Sequence, residues 1–175
     1  MDQDKAYYEN RRTIEEVLGI TIGDSTTLTL LVEKARLLRT MKPGIIFQSI
    51  AAMVIEAFEK PTFTPFSISD YFNACYGELH EEVSLASALE NHWLCCHVTT
   101  ALFALLIMEA GLGFVEIRAE HITDGRDPYV WAKAKWKNEG SPKLREKPAD
   151  MYAMLVGNKT LRDNGGVVLT ELKAT

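Results

Sequence analysis

The chain has 175 residues, 47% of them apolar, and a net charge of −5 from 19 basic and 24 acidic side chains. That is enough apolar matter for a proper core and too much for a disordered chain. It also excludes a protein coated with positive charge, leaving nucleic acid only a local basic face to bind.

Three cysteines, Cys75, Cys95 and Cys96, make an odd number, and the start Met1-Asp2-Gln3-Asp4-Lys5 is too polar for a signal peptide. The expected compartment is therefore a reducing cytoplasm. The most apolar window, residues 98–112, is shorter than the roughly 20 residues of a membrane span. Glu109 also interrupts it, so no membrane partner is expected.

In chain order, the spacing of Tyr7, Ile14 and Leu18 predicts a helix over 4–18, with Gly19 as its stop. Ser25 or Thr26 can cap a second helix by accepting bonds from its first amides, and Leu28, Leu31, Ala35 and Leu38 line one face of it. Lys42-Pro43-Gly44 breaks that helix, so residues 1–42 read as an N-terminal helical extension. A third helix is expected over 45–58, burying Ile50, Met53, Val54 and Ala57. A brief strand over 66–68, a helix over 69–76 and an acidic loop over 77–83 follow. Ser84 caps a helix over 85–93, and an apolar helix over 97–110 stops at Gly111.

Strands over 114–118 and 129–137 then flank the turn Thr123-Asp124-Gly125-Arg126-Asp127-Pro128, in which Asp124-Gly125 suits a tight reversal. Residues 138–175 open with a polar stretch carrying Lys143, Arg145 and Lys147. A helix over 148–155 and a strand over 167–169 complete the expected elements.

A helix ending Glu109-Ala110-Gly111-Leu112 and leading into a hairpin resembles the winged helix-turn-helix. The expected fold is thus mostly α, of α+β class, with a winged-helix core over 43–137 and the hairpin as its wing. The resemblance implies a regulator of transcription or replication that binds double-stranded DNA as a homodimer. In such folds the start of the second helix enters the major groove, which assigns His97, Thr99 and Thr100 to base or phosphate contacts. Phe103, Leu106 and Ile107 make the outer side of that helix apolar as well and need a cover, either the N-terminal helices or a subunit interface.

Alternation along the second strand puts Val130, Ala132, Ala134 and Trp136 on a packed face and Trp131, Lys133, Lys135 and Lys137 on an exposed one. With Arg118 on the partner strand and Arg126 at the tip, Lys133, Lys135 and Lys137 are the candidate phosphate contacts. One feature opposes DNA. Between Lys60 and Arg118 there is no Lys or Arg, while Asp70, Glu78, Glu81, Glu82, Glu90, Glu109 and Glu116 all fall there. The alternative is an acidic interaction module, an inhibitor or adaptor, that meets a basic protein partner through Glu78, Glu81, Glu82 and Glu90.

His92 and Cys96 are four apart and could share a helix face, with Cys95, His97, Cys75 and His80 near in sequence. The adjacent cysteines diverge and no paired ligand motif is present, so core packing is expected in place of a metal site. No phosphate loop, nucleophile elbow or zinc-protease motif occurs. The expectation is no enzyme and no cofactor.

Overall fold

The computed structural model is described over residues 2–59, 64–65, 84–91, 93–120, 128–138, 140–157 and 165–174. Among these lie six helices: α1 (Asp2–Leu18), α2 (Thr26–Leu37), α3 (Pro43–Phe58), α4 (Leu85–Asn91), α5 (Cys96–Glu109) and α6 (Met151–Leu155). The strands are β1 (Thr64–Pro65), β2 (Trp93–Leu94), β3 (Phe114–Glu120), β4 (Tyr129–Lys137), β5 (Leu144–Ala149) and β6 (Val167–Lys173). β1 and β2 form a short parallel pair, and the other four form an antiparallel sheet in the order β5-β4-β3-β6. This is the mixed α+β class that the sequence predicts.

Local chemistry sets the helix ends. The Ser25 hydroxyl accepts the Leu28 amide at 3.1 Å and starts α2. Pro43 opens α3 where the sequence pattern suggests only a break, because a first helical residue needs no N–H and proline already holds the helical φ. α5 ends with Gly111 at φ +77, a conformation that glycine takes without strain. The Gly111 amide then donates to the Met108 carbonyl at 3.1 Å and the Leu112 amide to the Ile107 carbonyl at 3.3 Å.

Every residue of α5 is buried. A helix apolar on all sides must be surrounded, and α5 touches α1, α2, α3 and α6 as well as β3 and β4. Phe47 of α3 wedges between Phe103 of α5 and Trp136 of β4, with both ring centroids 5.7 Å away. At the C-terminal end of α5, where the helix dipole is negative, Glu109 is itself buried. Arg36 binds its carboxylate at 2.8 Å, and Arg39 donates to its main-chain carbonyl at 2.8 Å.

The stretch expected to lead from a polar segment into a helix at Pro148 is instead the edge strand β5, and α6 begins only at Met151. Pro148 is tolerated because an edge strand can lack one N–H. The elements expected over 66–68, 69–76 and 77–83 and the turn that carries Arg126 lie outside the described residues. Among the described residues no helix is long and apolar enough to cross a membrane.

Candidate functional site

The start of α5 is closed. His97, Thr99 and Thr100 are at most 2% exposed. The Thr99 hydroxyl donates back to the Cys95 and Cys96 carbonyls at 3.2 and 3.1 Å, and that of Thr100 to the Val130 carbonyl at 3.3 Å. These hydroxyls serve the fold, so the assignment of all three residues to a DNA groove is corrected. Phe103, Leu106 and Ile107 are 0% exposed within one chain and belong to its core, not to a subunit interface.

Around the same helix start lie Cys95, Cys96, Tyr129, Asp150 and Tyr152. The Cys96 sulfur is 3.4 Å from His97 Nδ1, and the Tyr129 hydroxyl donates to Asp150 at 2.5 Å. Asp150 also accepts the Ala153 amide and so caps α6. Burial raises the Tyr152 phenol above its usual range, and the neighbouring Cys96 and Cys95 add to that. Among the described residues, no three His, Cys, Asp or Glu side chains stand close enough to hold a metal ion. Cys95, Cys96, His97 and Asp150 are all at most 2% exposed, while Tyr152 is half-buried.

Burial lowers the His97 pKa to about 3, which keeps the imidazole neutral. An unfolded chain would bind a proton there below its ordinary value of about 6.5. The unfolded state thus holds more protons between about 6.5 and about 3, and stability falls with falling pH in that window, by at most about 1.4 kcal/mol per unit. Between pH 7 and pH 4.5, wild type should lose about 2 kcal/mol more than His97→Gln, as read from urea midpoints. Equal losses would mean that His97 takes up its proton in the folded protein.

β4, the strand expected to be a basic wing, is neutralised from both sides. Its alternation is as expected, with Val130, Ala132, Ala134 and Trp136 buried against the helices, but the opposite face is not open. Trp131 is fully buried, and Lys133 is 6% exposed and paired with Glu146 at 3.3 Å. Lys135 meets Glu116, Glu171 and Glu146 at 3.0, 3.4 and 3.7 Å, and Arg118 meets Glu116 at 3.0 Å. Burial alone would raise the Glu116 carboxyl, but hydrogen bonds from Lys135 and Arg118 outweigh it and hold the group below its usual range. Lys133, Lys135 and Arg118 are therefore corrected from phosphate contacts to sheet-spanning ion pairs. The sequence reading missed β5 and the extension of the expected 167–169 strand to Lys173, which bring Glu146 and Glu171 to the lysine face.

Lys137 remains exposed, at the end of β4, and it leads to a cleft that was not assigned from the sequence. In the ladder, Arg145 pairs with Trp136 and Lys147 with Ala134, so both cations share the helix-side face of the sheet, while Glu146 lies on the other. They project beside the start of α3. Gly44, Phe47, Gln48, Trp136, Asn138, Arg145 and Lys147 line a cavity of about 160 Å³ there. A wider groove of about 630 Å³ continues over Lys42, Pro43, Ile45 and Lys137.

The Lys147 ammonium lies 4.9 Å from the Phe47 ring centre, a cation–π contact that steers it toward the cavity. No carboxylate lines either space among the described residues. Arg126, Glu78, Glu81, Glu82, Cys75, His80 and His92 lie outside the described residues, and Glu90 is exposed at the end of α4. Compared with family models, curated proteins and solved structures, the chain matches none.

Proposed function

We propose that the protein binds nucleic acid through its phosphates, using the cationic rim of the cleft at the start of α3. The scaffold is of winged-helix type, a reading supported by the order α5, Gly111, β3, β4, but α5 serves as the core and not as the reading element. The observation that carries the function is the rim itself. Lys42, Lys137, Arg145 and Lys147 line it, are exposed and form no ion pair among the described residues, in a chain of net charge −5. Phosphate contacts of this kind give affinity and carry no base sequence, so the binding is sequence-tolerant.

The test is a triple variant, Lys137→Glu, Arg145→Glu and Lys147→Glu, all on exposed side chains. Wild type should bind mixed-sequence DNA with an affinity that falls steeply with salt. The variant should lose at least about a hundredfold in affinity, and its log–log salt slope should be shallower by about 2.7, from three phosphate contacts at about 0.9 each. A wild-type protein without measurable DNA affinity sinks the proposal. A basic protein captured in the presence of nuclease, and lost on Glu90→Gln, would favour the acidic adaptor.

A further inference from the structure

We infer that the smaller cavity receives the terminal phosphate of a nucleic-acid strand, a monoester and not an internal diester. The inference rests on the nucleic-acid reading above and deepens it.

Its first support is Gly44. This residue is the second of α3, where alanine would be the better helix former. No conformational reason for glycine exists there, since its backbone is helical, and no packing reason exists either, since an added Cβ would meet no atom within 4 Å. What glycine does provide is an unobstructed backbone that another molecule can approach closely. The Gly44 and Ile45 amides have no acceptor within the helix, and the N-cap residue Lys42 makes no side-chain hydrogen bond to them.

Charge and size define the ligand. Arg145 and Lys147 stand on one face of β5 at the cavity, with Lys42 at the adjoining groove. A terminal phosphate carries about −1.5 to −2 charges near pH 7, against −1 for an internal diester, and so gains more from paired cations. About 160 Å³ is below the roughly 300 Å³ at which pockets begin to hold whole drug-sized ligands, so a phosphate fits and a nucleoside does not. Phe47 and Trp136, both buried, line the cavity, and the wider groove past Pro43 and Ile45 adjoins it. Trp136, only 4% exposed, has no open face on which a base could stack.

The test compares one short single-stranded DNA with a 5′-phosphate, with a 3′-phosphate and with hydroxyls at both ends, by fluorescence anisotropy. A phosphorylated end should bind about tenfold tighter, and inorganic phosphate should compete for that increment only. Gly44→Glu, which fills the open space with a carboxylate, should abolish the end preference and leave the weaker binding of the hydroxyl strand in place. Arg145→Gln also takes one contact from the sequence-tolerant rim, so it should weaken both strands but the phosphorylated one more, narrowing the end preference, and serves as a second variant. Equal affinity for all three strands overturns this inference while the phosphate-binding function stands. Adenosine 5′-monophosphate bound as tightly as the strand overturns the strand-end assignment, and no binding by any strand overturns the function itself.

Discussion

Ile107→Glu should leave no cooperatively folded protein at 25 °C. Ile107 is 0% exposed on a helix that is enclosed by α1, α2, α3, α6 and a sheet. A carboxylate there is cut off from water, and the packing of the lost side chain goes with it. The lost packing costs about 2–5 kcal/mol and the unpaired buried carboxylate several more, a sum that reaches the total stability of about 5–15 kcal/mol for a domain of this kind. Circular dichroism and thermal melting would read the result directly. A folded monomer with a wild-type melting curve would mean that the side chain reaches water and that α5 is not the core.

Arg36→Leu should lower the melting temperature by about 6–12 °C. Arg36 is the partner of Glu109, whose side chain is only 3% exposed, and the two meet at 2.8 Å. Removing one member of such a pair leaves an uncompensated charge inside, at a cost of about 3 kcal/mol, which a chain of this length shows as about 2–4 °C per kcal/mol. The position aggravates it, since Glu109 sits at the negative end of the α5 dipole. The double variant Arg36→Leu with Glu109→Leu removes both charges and should recover most of the loss. A single variant as stable as wild type would show that Arg39 or water can replace the missing guanidinium.

Much of the fold was legible because it is local. Ser25 is a cap by its chemistry, Gly111 is a stop by its freedom to take positive φ, and the alternation of Val130, Ala132, Ala134 and Trp136 marks the inner face of β4. α5 could be read as doubly covered from its composition alone, but what covered it could not, since Ile14, Leu28 and Ile50 lie far away in the chain. The site was harder. Leu144-Arg145-Glu146-Lys147-Pro148-Ala149 has neither the β-branched nor the aromatic residues of a typical strand, and only its pairing with β4 makes it one. Without β5, Lys133 and Lys135 read as open charge, although Glu146 waits for them. Without it, too, Arg145 and Lys147 are merely two of many surface cations, and not neighbours of Gly44.

The enclosed position of α5 has a consequence during synthesis. The ribosome releases α1, α2 and α3 before the helix that they wrap around has been made. At about 5–20 residues per second, the stretch from Leu18 to Cys96 takes on the order of 5–15 s. Until then Ile14 and Leu18, and Leu28, Val32, Ile50 and Val54 as each is made, all buried in the finished protein, lack the helix that completes their core. The nascent chain is therefore most prone to aggregate while incomplete, and translation rate and chaperone supply govern how much of it reaches the folded state.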